Sequence, residues 1–286
     1  MKQTFEGCYY KQQANGKTLA LIPCRLGGEA YVCVITDNES FIIPFDISEF
    51  HKSDIVRIGE SEFSYSGLKV NINSKSIDNR SVSIKGELKY ANLVPINGDI
   101  MGFFRFFPME CRHGIVSMKH DTSGEITLNG EKYNFDNGIG YIETERGTSF
   151  PESYSWVQTN DFKENCSISA AIAIIPFAGF RFWGCICVVW HNGKEYRLAT
   201  YKGAKIVRCE DGLMEIKQGK YHLVVRIKQQ NAHTLPAPKH GVISLTMKES
   251  ASCPAEFTFT ENGKTIFSGE SGHTSYEYRP GPTAKS

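Results

Sequence analysis

A surplus of charge of either sign is missing from this sequence: 32 Lys and Arg face 31 Asp and Glu, a formal net charge of +1. No like-charge run is long enough for a disordered arm, and the balance offers no electrostatic grip on nucleic acid or an acidic membrane. A charged n-region followed by an apolar h-region is also missing, so no secretory signal is expected. There are no heptads, no Walker loop, no dinucleotide fingerprint and no Gly-x-Ser-x-Gly elbow, and no cofactor is expected. Metal-ligand spacing is missing too. His113 and His120 fall on opposite faces of an unbroken strand, and Cys185 and Cys187, which share a face, lack a second pair at zinc spacing. The nine cysteines are odd in number and scattered, which suits a reducing cytoplasm better than a disulfide framework. Residues 168–190 are the one stretch resembling a membrane span. Pro176, Gly179, Arg181 and Gly184 argue instead for a hairpin of two buried strands turning at 176–179.

What is present is strand pattern. Hydrophobic residues make up 41% and charged residues 22% of 286, as in a water-soluble globular chain. Short alternating runs recur every 8 to 12 residues between Gly, Asn and Asp turns, the mark of an all-β sandwich or barrel. Asn129-Gly130 is the strongest hairpin signal, with further Asn-Gly turns at 15–16, 192–193 and 262–263. Only residues 46–54 offer a short helix in the first half. Four phenylalanines at 103, 104, 106 and 107 suggest core or cavity lining. We expect two β units, 1–150 and 151–280, with 281–286 a loose tail; no clean internal repeat accompanies them.

The chemistry concentrates between Gly138 and Gln158. If 141–145 is extended, Tyr141, Glu143 and Glu145 share one face and Ile142 and Thr144 the other. Gly147 breaks the strand and Pro151 fixes the connection. Tyr154, Trp156 and Gln158 then share a face of a second extended piece. Such a surface can orient a ligand and bury an apolar one; it also satisfies a plain polar seam between two β units. Glu110, Arg112 and His113 cluster after an apolar strand, either as a surface network or as a polar contact at the mouth of a cavity. Arg181, inside the most apolar hairpin, calls for a partner, for which Glu143 or Glu145 would serve.

Taken in order, 5–11 (FEGCYYK), 109–115 (MECRHGI), 140–151 (GYIETERGTSFP), Trp156 with Gln158, 175–177 (IPF) and 194–201 (KEYRLATY) resemble the tocopherol cyclase family, above all its bacterial branch, over most of residues 5–270. The central stretch is more distantly similar to carotenoid hydratases and their relatives. The resemblance implies a calycin-type fold, two lipocalin-like antiparallel barrels meeting at the central motif. It also implies an isomerase: acid protonates a prenyl double bond and a quinol oxygen captures the cation to close a ring. That chemistry needs a carboxyl kept neutral by an apolar cavity. The resemblance assigns Glu143 as donor, with Glu145, His113 and Gln158 orienting it. Tyr141, Trp156, Tyr201, Glu110, Arg181, Phe104 and Phe106 become substrate contacts. Cys8, Arg146 and Tyr154 stand at usual Trp positions, and each lost indole removes ~0.5–2 kcal/mol of cation stabilisation; residues 271–278 depart as well. A non-catalytic carrier of an apolar ligand, with peripheral membrane contact at most, is the alternative, and a protein with a filled interior and no ligand is a third.

Overall fold

Four of the six Asn-Gly pairs, those at 15–16, 129–130, 192–193 and 262–263, adopt positive φ at both residues, for example 50° and 86° at Asn129 and Gly130. That is the type I′ geometry whose twist matches two paired strands. The computed structural model describes residues 4–177, 179–229, 233–239 and 242–281, with the backbone alone over 233–239 and 242–248. Residues 282–286 of the tail expected at 281–286, and Ala178 of the expected turn, lie outside the described residues.

The chain forms two compact units, each contributed by separate stretches. One comprises Met1–Pro95, His113–Ser149 and Pro238–Ser244; the other comprises Ile96–Arg112, Phe150–Ala237 and Leu245–Ser286. The division therefore differs from a single cut near residue 150, because residues 96–112 leave the first unit for the second.

The first unit holds a 12-stranded sheet. Its strands are β1 (Phe5–Ala14), β2 (Lys17–Leu26), β3 (Glu29–Thr36), β4 (Ser40–Asp46), β5 (Phe50–Lys52), β6 (Val56–Ile58), β7 (Ser61–Ser64), β8 (Gly67–Lys75), β9 (Ser81–Ala91), β10 (Cys111–Leu128), β11 (Glu131–Asn134) and β12 (Gly138–Gly147). The order is β4-β3-β2-β1-β12-β10-β9-β8-β7-β6-β5, with β11 on β10. The sheet curls back on itself where the Ile77 N–H donates to the Ile42 carbonyl at 2.9 Å. The expected helix at 46–54 is a single 3-10 turn, Ile47–Glu49, capped by Asp46 and followed at once by β5. Tyr10, Leu21, Val32, Phe63, Ile126 and Ile142 belong to one buried core.

The second unit holds a 10-stranded sheet. Its strands are β13 (Tyr154–Thr159), β14 (Cys166–Phe177), β15 (Phe180–His191), β16 (Lys194–Ala199), β17 (Lys205–Glu210), β18 (Leu213–Gln218), β19 (Tyr221–Ile227), β20 (His233–Lys239), β21 (Val242–Glu261) and β22 (Lys264–Arg279). The order is β16-β15-β14-β13-β22-β21-β19-β18-β17, with β20 on β21. Gln218 ties its ends: Oε1 accepts from the Ala199 N–H at 2.9 Å and Nε2 donates to the Arg197 carbonyl at 3.1 Å. Val157, Ile168, Ile172, Val189, Phe257 and Tyr276 form its core. β14 and β15 pair along their whole length, from Cys166–His191 to Phe177–Phe180, so the apolar stretch is a hairpin. No helix among the described residues is long and apolar enough to cross a membrane.

Candidate functional site

Strand alternation decides which side of the first unit carries the carboxylates. Tyr10 pairs with Ile142, and both lie in the core. Tyr141, Glu143 and Glu145 therefore project from the opposite face of β12. The acid therefore lies outside the core that holds Ile142. Glu143 is nonetheless only 5% exposed.

Across the register Tyr9 faces Glu143 and Lys11 faces Tyr141. The Tyr141 hydroxyl, fully buried, donates to Glu143 Oε2 at 2.5 Å. His113 enters from β10 with each ring nitrogen toward a carboxylate. Its Nε2 lies 3.4 Å from Glu143 Oε2 and its Nδ1 3.3 Å from Glu145 Oε1. The neighbouring Gly114 lets β10 come this close, since a Cβ there would sit 2.8 Å from Thr144 Oγ1. Glu143 is sheltered, whereas the Glu145 side chain is 31% exposed, so the imidazole links a buried carboxyl to a wetter one. The three groups also offer ligand atoms within 4.8 Å of one another, a donor set that fits a divalent cation.

Deeper in the same unit, burial defines two further groups. It pushes the Cys8 thiol up to about 12, which leaves it unreactive near neutrality. It also pulls the His120 imidazole down to about 4. His120 packs against Tyr90 with ring centroids 4.4 Å apart, and against the bare backbone of Gly140, where a Cβ would lie 2.2 Å from Nε2.

The remaining expected residues belong to the second unit. Trp156 and Gln158 are buried on the face of β13 opposite Val157, which is in the core. On that face the Tyr154 hydroxyl donates to Glu277 Oε2 at 2.8 Å, and Glu277 is registered with both Trp156 and the buried Glu249. Sequence reasoning missed Glu249 and Glu277, as it missed the fully buried Lys11. Lys11 was within reach, being two residues along β1 from Tyr9 on the same face. The carboxyl pair depends on a long-range register that no local pattern carries.

The structure corrects the expected partner of Arg181 and the expected burial of the phenylalanines, and it places Tyr201 and the Glu110, Arg112 and His113 cluster. Arg181 is largely exposed and pairs with Glu152, not with Glu143 or Glu145. Phe106 is 73% exposed, and Phe103 and Phe107 are exposed as well, so this segment is neither core nor cavity lining; Phe104 alone is half-buried, 5.5 Å from Phe177. Tyr201 anchors main chain, its hydroxyl donating to the Ile100 carbonyl at 2.8 Å. The Glu110, Arg112 and His113 cluster is divided, because Arg112 donates to the Phe107 carbonyl at 2.9 Å while His113 serves the glutamates; Glu110 is half-buried.

The Trp-position departures acquire a physical reading. Cys8 is in the core and Arg146 is exposed opposite Glu6. Tyr154 is held by Glu277. Positions 8 and 146, on the even side of their strands, cannot remove an aromatic from the Glu143 face.

The profile of a family described as tocopherol cyclase-like matches residues 66–269. A probable chloroplastic tocopherol cyclase from Oryza sativa subsp. japonica is 28% identical over 111 residues, spanning 36% of this chain and 23% of the rice protein. Among solved structures, a putative AttH from Nitrosomonas europaea aligns at TM-score 0.55 and 10% identity, covering 97% of this chain and 92% of that one. CghA with Sch210972 aligns at TM-score 0.58 and 10% identity, covering 98% and 89%. At such identity the likeness is one of fold: all-β, with two lipocalin-like antiparallel barrels.

Proposed function

Because the chain belongs to the tocopherol cyclase-like family, we propose that it is an acid catalyst for ring closure of a prenylated quinol or related isoprenoid. The reading rests on one observation, the contiguous series of polar contacts from Tyr141 through Glu143 and His113 to Glu145. Glu143 donates a proton to the trisubstituted double bond. The tertiary cation is captured by the phenolic oxygen, which then loses its proton to water at the partly exposed Glu145, so the net change is an isomerisation. An alkene is a weak base, so the donor must be protonated, and shelter from water favours the neutral carboxyl over its carboxylate. The Tyr141 hydroxyl, bonded at Oε2, orients the carboxyl. His113 restores the proton, taking one at Nδ1 from Glu145 and passing one from Nε2 to Glu143. Tyr9 and Tyr141 supply aromatic faces beside the cation. Replacing Glu143 by Gln keeps the shape and removes the acid; turnover of a prenyl-quinol is expected to fall about a hundredfold or more. Unchanged turnover would remove the assignment.

A second reading is a carrier of an apolar ligand. It predicts that a prenyl-quinol extracted from the protein after incubation is chemically intact, as seen by mass spectrometry.

A further inference from the structure

The second unit displays aromatic rings that its fold does not hide. The 3-10 helix Gly102–Phe106 and the tip of the β14–β15 hairpin together expose Phe103, Phe106, Phe107, Phe180 and Trp183, with Phe106 at 73% and Phe180 at 77%. Among the described residues, the other exposed large hydrophobics, Ile47, Tyr65, Ile77 and Val207, lie on separate segments. The five rings share one scaffold. Phe104 lies 4.5 Å from Phe103, 5.5 Å from Phe177 and 6.2 Å from Phe182, and Phe107 lies 5.1 Å from Phe177, by ring centroids.

That scaffold is firmly built. Arg197 donates to the Asp99 and Asn97 carbonyls, each at 2.9 Å, and pairs with Glu195 at 2.7 Å, with both side chains almost wholly buried. Glu195 accepts from the Asn97 N–H at 2.6 Å, and Tyr201 holds Ile100. A Cβ at Gly102 would strike the Tyr201 ring at 2.6 Å, so the start of the helix lies directly on that ring. Burying an ion pair is costly. Here its hydrogen bonds hold in place a segment whose phenylalanines face water, an arrangement that marks an interaction surface.

We infer that this aromatic platform docks the protein on a lipid surface carrying anionic headgroups. The charges beside the rings choose the partner. Arg105 stacks over the Phe106 ring at 4.6 Å, and Arg181 is set between Phe180 and Phe182, 66% exposed. Arg181 shares its charge with the partly exposed Glu152, so Arg105 carries the larger part of the attraction. Aromatic rings favour the boundary between headgroups and acyl chains, and guanidinium groups bind phosphate oxygens above it. The inference rests in part on the proposed substrate, since a prenyl-tailed quinol resides in a bilayer, but its test does not involve turnover.

The test is co-sedimentation of the full chain with vesicles of phosphatidylcholine containing phosphatidylglycerol. Wild type is expected to bind, more weakly in high salt, with a blue shift of Trp fluorescence that disappears in Trp183→Phe. Phe106→Ser with Phe180→Ser, both at exposed positions, is expected to weaken binding by about tenfold or more. Arg105→Gln with Arg181→Gln should remove the preference for anionic over neutral vesicles. Glu143→Gln should bind as wild type does, so that loss of the catalytic reading leaves this one standing. Absence of vesicle binding by the wild type would overturn the inference. So would a sedimentation-equilibrium dimer abolished by the two Phe substitutions, which would give the platform to a second copy.

Discussion

His120 shows how one buried side chain sets an acid limit on the fold. The unfolded chain protonates it near 6.5, whereas burial lowers the folded value to about 4. Between those values the unfolded state binds a proton that the native state refuses, so stability falls as pH drops through that window and is unaffected above it. The loss approaches ~3 kcal/mol at the acid end. Leucine does not titrate; His120→Leu should therefore lose less stability than wild type between pH 7.5 and 4.5, read as the shift in urea midpoint. His113 tests the proton route. His113→Phe should lower turnover about a hundredfold, with partial recovery in added imidazole, whereas Glu143→Gln should not recover. A loss that imidazole leaves untouched would make His113 a packing residue.

Among the elements, β21 and β22 bring Glu249 opposite Glu277. Like charges directly opposite one another weaken an antiparallel pair, by roughly 0.2–1 kcal/mol. Glu249→Gln is thus expected to raise the thermal midpoint at pH 8, and to do so less at pH 4, where carboxyls are largely neutral. A lower midpoint at both pH values would show that the carboxylate is needed by its neighbours. The strands themselves were legible, because period-two alternation and Asn-Gly turns are local signals: β12 places Tyr141, Glu143 and Glu145 on one face, as its residues require. The partners were not. His113 is separated from Glu143 by thirty positions of sequence, and only the approach of β10 at Gly114 makes the two neighbours.

At the scale of the molecule, the same trio that passes a proton offers three ligand atoms to a cation. If the acid reading holds, treatment with a chelator leaves turnover unchanged, and elemental analysis finds no stoichiometric metal; loss of activity restored by zinc would reassign the trio. By itself the sequence determined the all-β class, the hairpins and the shared face of the two central glutamates, since each follows from residues close together in the chain. Only the tertiary structure decided which side of each strand became interior. It placed Ile142 in the core and Glu143 on the reverse face, and turned Phe103, Phe106 and Phe107 outward. The reason is that burial depends on which surfaces meet, and a run of phenylalanines is equally compatible with a core or with a platform until its supporting contacts are in place.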